Sequence, residues 1–373
     1  MQATEDTPAN PSAVEKQNIG NKLEPVSATR GFWALFFVQL QGAFSDNLFK
    51  FLVVFTSIKS LSGEQQAFRV FLVAVVAALP FILFSMVAGC LASRFSKGRV
   101  ITWTKILEIG IMILGVLALY TLDFSFMLVV ILLMSVQSAI FSPAKYASLP
   151  ELLPSKRLSW GNGIIGLGTF GGIIAGVTAA GVLYAKVLGE DRVWMGGVFL
   201  IFLAVVGAWI SRSITRYPAA SPGKRIQINF IGDLIGNLKL VSKNRVLGLA
   251  MAGSVYFWLL GALYQSTLIV YGDNFDPKLS ADQMGYMQAF LAIGIGVGCG
   301  LAGYLSGNKV EYGLIPLGAF GLAACSIVLG IFEFSFSGAS AVLTFLGIAG
   351  GFFIVPINAL IQHLPERKDK GSV

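Results

Sequence analysis

The chain has 373 residues, of which 55% are hydrophobic and only 12% charged, with a mean hydropathy of +0.75. A soluble domain carries about 25% charged residues, so the composition excludes an ordinary soluble enzyme and indicates an all-α polytopic membrane protein. The net charge of +8 would suit a nucleic-acid partner, but no basic stripe interleaved with aromatics is present.

Residues 1–28 are polar and rich in Pro, Asn, Glu and Ser. They lack the apolar core of a signal peptide and read as a disordered cytoplasmic tail. Ten apolar stretches long enough to span a bilayer follow, at roughly 31–58, 67–93, 99–120, 124–148, 159–188, 193–213, 245–271, 281–306, 311–333 and 337–362. They group as a six-helix bundle (29–213), a linker (214–244) and a second bundle (245–373). Of the 27 Lys and Arg, only Lys50, Lys59, Arg69, Lys186, Arg192 and Lys278 fall on the outer side or outer helix ends. The positive-inside rule therefore places the N-terminus and the linker in the cytoplasm and accounts for the net charge. Within the linker, Phe230, Ile231, Leu234, Ile235, Leu238 and Val241 have the spacing of an amphipathic helix. Such a helix either lies on the membrane face or straps the two bundles together.

The first span contains the polar stretch Gln39 to Lys50. At about 100° per residue, Gln39, Asp46 and Lys50 fall within about 20° of one face, and Asn47 borders it. Ionisable groups at membrane depth mark a substrate or ion pathway by default; the alternative is an Asp46–Lys50 pair at i, i+4 that neutralises itself. Asp46 lies roughly 22 Å along the helix from Gly31 and Lys50 roughly 28 Å. In a core of about 30 Å, Lys50 is near enough to the outer surface to snorkel. Lys105 and Glu108, at i, i+3 in the third span, read as a structural ion pair.

The halves echo each other. Gly89-Cys-Leu-Ala-Ser-Arg-Phe-Ser-Lys-Gly-Arg99 follows the second span and Gly303-Tyr-Leu-Ser-Gly-Asn-Lys-Val310 the eighth, while Leu149-Pro-Glu151 ends the fourth and Leu364-Pro-Glu366 the tenth. The offsets are 214 (303 against 89) and 215 (364 against 149), which indicates a duplicated unit. Two parallel six-helix repeats with a midplane site form the major facilitator fold. On that plan about ten of twelve helices are present, and the chain reads as truncated after the fourth helix of the second unit. Two rows of small residues, Gly168-x3-Gly172-x3-Gly176 and Gly294-x3-Gly298-x3-Ala302, allow close helix approach. Each row packs within its own half, or the two face each other and form a surface that rocks.

Gly42-Ala-Phe-Ser-Asp-Asn47, Ser93-Arg-Phe-Ser-Lys-Gly-Arg-Val100, Ser142-Pro-Ala-Lys-Tyr146 with Pro150-Glu-Leu152, and the stretch Gly350 to Gln362 resemble the lysophospholipid transporter family of the major facilitator superfamily. The Asn-Leu-Phe-Lys50 continuation is similar to the form fused to an acyltransferase and an acyl-carrier-protein synthetase. The resemblance implies a secondary transporter that flips lysophospholipids, chiefly lysophosphatidylethanolamine, from the outer to the inner leaflet of the bacterial inner membrane for reacylation. It implies a substrate site at Asp46 and Lys145, and a gating loop with Arg94, Lys97 and Arg99. Two positions depart from the family pattern: Ser93 replaces an acidic residue, and Gln265 replaces an arginine of the seventh helix.

Read from its chemistry, a zwitterionic lysolipid needs an acid for the amine, a cation for the phosphate and an apolar slot. Asp46 suits the amine, Lys50 and Lys145 the phosphate, and Gln39, Asn47, Gln265, Gln288 and Asn358 offer neutral hydrogen bonds. Lys145 lies near the cytoplasmic end of the fourth span, where it could equally be a topology anchor. Gln137, Trp103, Trp258 and Tyr264 either line the cavity or serve as packing and interface aromatics.

Other signals are negative. Gly161-Asn-Gly-Ile-Ile-Gly166 spells a dinucleotide fingerprint but opens a spanning helix with no strand before it, so it reads as packing. There is no Gly-x4-Gly-Lys-Ser/Thr, so ATP is not the direct drive. Cys90, Cys299 and Cys325 have no metal or redox spacing. The single histidine, His363, makes acyl transfer within this chain a poor reading. Neither a cofactor nor a metal is called for. The competing functions are transport of another amphiphile, such as a drug or fatty acid, and a membrane platform that presents lysolipid to a fused acyltransferase.

Overall fold

The computed structural model describes residues 28–58, 64–184, 188, 192–219, 244–273, 281–307 and 309–364. The expected N-terminal tail up to residue 27 and the expected amphipathic helix of the linker lie outside the described residues. Ten α-helices are present among the described residues: α1 (Ala28–Ile58), α2 (Glu64–Arg94), α3 (Lys97–Thr121), α4 (Phe124–Leu152), α5 (Leu158–Leu183), α6 (Trp194–Ser211), α7 (Arg245–Asp273), α8 (Ala281–Ser306), α9 (Leu314–Ile331) and α10 (Phe336–His363). Eight of them are long and apolar enough by themselves to cross a membrane. The first helix falls short of that measure because Gln39, Gln41, Asp46, Asn47 and Lys50 interrupt it. It is instead the central helix of the first half, packed on α2, α4, α5 and α6.

Short, capped turns set the up-and-down order. The α3 helix ends on Leu122 in the left-handed region (φ 56°), and Asp123 then caps α4 by accepting from the Ser125 and Phe126 amides. The corresponding turn of the second half uses Ser335, whose hydroxyl accepts from the Gly338 amide at the start of α10. The packing partners repeat as well. Contacts of α1 with α2 and α4, of α2 with α4, and of α3 with α4 recur as α7 with α8 and α10, α8 with α10, and α9 with α10. The duplicated unit read from two sequence echoes is therefore also a duplicated packing plan.

Among the described residues, the halves meet mainly through α5 against α8, with α10 against α5 and α4. The seam lies toward the end carrying the basic loops: Ser159 meets Ser306 there, and Leu167 and Phe170 cover Gly296 and Gly300 further up. Beyond that level nothing lies within 4 Å of a Cβ built on Gly171 of α5 or Gly285 of α8. Outward-facing apolar side chains, such as Ile82, Leu107, Phe202, Leu249 and Phe320, suit contact with lipid tails.

The two glycine rows do not face each other. A Cβ on Gly172 or Gly176 would meet the Leu40 or Phe44 carbonyl oxygen of α1 at 2.6 and 2.4 Å, and Gly168 packs on Phe36. A Cβ on Gly294 or Gly298 would likewise collide with the Thr344 or Ile348 carbonyl oxygen of α10. Each row therefore joins helices of its own half, and neither is the rocking surface. Helix backbones approach this closely only where no Cβ intervenes.

This contrast yields a test. Gly176→Val forces α5 off α1 and is expected to lower thermal stability in detergent by at least the roughly 1–3 kcal/mol of ordinary overpacking. Gly171→Ala, made five residues earlier into open space, should leave the melting temperature within about a degree of wild type.

Candidate transport site

The first half contains a buried polar ring at the heart of the bundle. Lys105 of α3 donates to Glu108 Oε2 at 2.6 Å and to Gln41 Oε1 of α1 at 2.9 Å, and Gln41 Nε2 donates to Glu108 Oε1 at 2.9 Å. The lysine and glutamate side chains are 2% and 1% exposed. Gly42 leaves room for the lysine: a Cβ there would lie 2.9 Å from Nζ. In a medium without water these charges are tolerable only when paired and hydrogen-bonded, and Gln41 completes the set from a second helix. The expected Lys105–Glu108 ion pair is thus joined by a residue that lies away from the stripe read on α1.

Asp46 is one turn and a half further along α1 and is partly exposed. Its carboxylate accepts from Ser138 Oγ of α4 at 2.7 Å, and the same hydroxyl lies 3.2 Å from Gln137 Oε1. Asp46 also interacts electrostatically with Glu108, Lys105 and Lys50. No Asp46–Lys50 ion pair occurs among the described residues, so the self-neutralising alternative is not what forms. The stripe divides at its edges. Gln39 donates to Thr169 Oγ1 of α5 at 3.0 Å, and Asn47 donates to the Ala43 carbonyl while packing beside Gly176. Gln39 therefore ties α1 to α5, whereas the Asn47 amide is spent on its own helix and only its Cβ touches α5.

Lys145 lies on α4, two residues past Pro143. It is 6% exposed, and its ammonium stands 4.3 Å from the Tyr146 ring centroid and 5.9 Å from that of Phe141. Lys105 approaches the same Phe141 ring at 5.5 Å. Among the described residues no carboxylate pairs with Lys145, so the aromatic faces are its electrostatic partners. The second half repeats the arrangement without the charge: Asn358 lies two residues past Pro356 on α10 and is partly exposed. Each proline removes an amide from its helix, so both residues sit beside a locally loosened backbone.

Gln288 is partly exposed on α8. Gln265 lies on α7, and its side chain is outside the described set. Of the aromatics, Tyr264 bonds to Ser326 across α7 and α9, while Trp103 and Trp258 face outward. Gln137 is buried.

At the basic end, Lys97 pairs with Glu151 of α4 at 2.7 Å and is 4% exposed. This tie holds the α2–α3 loop even though Ser93 turns inward to the Gly89 carbonyl. Arg94 lies over the Phe95 ring, and Arg99 is exposed. Sequence reasoning missed Gln41, Ser138 and Glu151 as partners. Gln41 carried a signal, a second amide in the same span, but its angle excluded it from the stripe. A lone serine such as Ser138 carries none.

Residues 29–373 match the Major Facilitator Superfamily. The chain belongs to that superfamily. It is 28% identical over 346 residues to a protein named lysophospholipid transporter LplT of Klebsiella pneumoniae, covering 91% of this chain and 82% of the relative. A protein of the same name from Escherichia coli is 28% identical over 353 residues, covering 90% and 81%. Among solved structures, the fold matches the E. coli fucose:proton symporter FucP (TM-score 0.72, 16% identity, 93% of this chain and 87% of that one). It also matches the human organic anion transporter MFSD10 (TM-score 0.73, 14% identity, 94% and 89%). The superfamily expected from the motifs and the internal repeat is thus the one found.

The ring makes a stability prediction. Lys105→Met leaves Glu108 buried without its cation and should cost about 3–5 kcal/mol. Lys105→Met/Glu108→Leu removes both charges and should recover part of that loss, measured as thermal unfolding in detergent.

Proposed function

We propose that this chain is a secondary transporter of lysophospholipids, chiefly lysophosphatidylethanolamine, working by alternating access in a bacterial inner membrane. The observation that carries the reading is the pair of incomplete charges on neighbouring helices. Lys145 is a buried cation with no carboxylate against it among the described residues. Asp46 is a partly exposed acid held by one neutral hydroxyl. Lys145 suits the substrate phosphate through charge-assisted donation, and Asp46 suits the amine. Lys105 faces two acids, Glu108 and Asp46, and Lys50 also lies within electrostatic reach of Asp46. The relatives named lysophospholipid transporters support the substrate class.

The basic loops mark the cytoplasmic side, and the N-terminus lies with them. Among the described residues the contacts between the halves cluster toward that side, an arrangement that suits loading from the outer leaflet. Transfer is then from the outer to the inner leaflet, where an acyltransferase, fused or separate, would consume the product. Asp46 and Lys145 act in turn as the opening changes sides. Gln288, Asn358 and Gln265 complete the headgroup site from the second half.

The test is uptake of labelled lysophosphatidylethanolamine into spheroplasts by the full chain. Asp46→Asn and Lys145→Ala are each expected to cut the rate at least roughly tenfold, the loss of one desolvated charge contact. Wild-type rates in both variants would remove the site assignment. No uptake by wild type, with uptake of a fatty acid or drug instead, would replace the substrate.

A further inference from the structure

At the basic end, four buried polar side chains join the halves. Asn162 of α5 and Gln362 of α10 exchange two hydrogen bonds: Asn162 Nδ2 donates to Gln362 Oε1 at 3.0 Å, and Gln362 Nε2 donates to Asn162 Oδ1 at 2.7 Å. Ser159 of α5 and Ser306 of α8 place their hydroxyl oxygens 2.7 Å apart. All four residues are at most 7% exposed. Between the two pairs the backbones touch: a Cβ on Gly163 would lie 2.4 Å from the Cys299 carbonyl oxygen and 2.7 Å from Gly303 Cα. The Tyr146 ring, which stands over the Lys145 ammonium, packs in one apolar cluster with Ile165 of α5 and Ala359 of α10. The seam is therefore continuous with the floor of the candidate site.

We infer that the Asn162–Gln362 amide pair and the Ser159–Ser306 hydroxyl pair form the latch that keeps the basic end closed, and that both must part in each transport cycle. This rests on the alternating-access reading above. The chemistry suits a contact that opens and closes repeatedly. A reciprocal amide pair has direction and is fully satisfied while dry, yet each partner is neutral and hydrates at far lower cost than a buried ion. The glycines let the backbones meet closely, and few side chains cross the seam there, among them Leu167, Phe170 and Cys299.

Cys299, 2% exposed within the seam, is a built-in reporter. In the full-length chain carrying Cys90→Ser and Cys325→Ser, a charged, membrane-impermeant maleimide is applied to either face of membrane vesicles. Asn162→Ala and Gln362→Ala are each expected to speed Cys299 labelling from the basic-loop face about tenfold, since the first strips Gln362 of its partner and the second leaves Asn162 only its bond to the Leu158 carbonyl. The double variant should label no faster than the singles, because both act on one contact. Unchanged labelling in both single variants, or additive effects in the double, would overturn the latch.

A second arm holds it shut. In a background of Cys90→Ser, Cys299→Ala and Cys325→Ser, Ser159→Cys/Ser306→Cys places two thiols where the hydroxyls now touch. Oxidation is expected to stop lysophosphatidylethanolamine uptake and reduction to restore it, whereas uptake by the cross-linked protein would overturn the latch as a moving part. The labelling arm needs no lysolipid, so failure of the transport reading and failure of the latch give different results.

Discussion

The structure depends on one constraint: in a lipid-surrounded bundle every polar side chain has to find its partner inside the protein. The first helix carries more such groups than any other, and it occupies the centre of its half as a result. Gln41 is bound to Lys105 and Glu108 on α3, Asp46 to Ser138 on α4, and Gln39 to Thr169 on α5. These bonds fix both the depth and the rotation of α1. They leave Asp46, the single acid of that helix, hydrogen-bonded to a neutral hydroxyl.

The duplicated unit provides two similar halves with different chemistry. Both halves pack their fourth helix on the first three by the same plan, and both interrupt it with a proline just before a polar residue. In the first half that residue is Lys145 and in the second it is Asn358. The buried charges among the described residues, Lys97, Lys105, Glu108 and Lys145, all belong to the first half. The second half contributes amides and hydroxyls. A site between such halves is charged on one wall and neutral on the other, which suits a headgroup with an apolar remainder more than a free ion.

The fifth helix does two jobs with two glycine faces. Gly168, Gly172 and Gly176 seat it permanently against α1, while Gly163 and Gly166 seat it against α8 across the seam. The first contact is backed by a large apolar core of the same half. The second ends in neutral hydrogen bonds. On the alternating-access proposal, the helix stays with its own half while its other face separates from the partner half.

Much of this was legible in the chain itself. Ten apolar runs, the constant offset between the Gly89 and Gly303 loops, and the family motifs determined the fold class, because bilayer thickness and helical rise leave few other arrangements. Asp46 was legible because an acid in a spanning helix is costly and stands out. What only the tertiary structure decided is which faces meet. Periodicity gives an angle around one helix but not the neighbour at that angle. For that reason Gln41 seemed off the stripe, yet closes the ring on Lys105 and Glu108. The glycine rows suggested a moving surface, yet they bind each half to itself. Gly161 to Gly166, a mere packing run by sequence, forms the join between the halves. Such pairings, like Asn162 with Gln362, link residues far apart in the chain, and only the packed arrangement of helices brings them within hydrogen-bond reach.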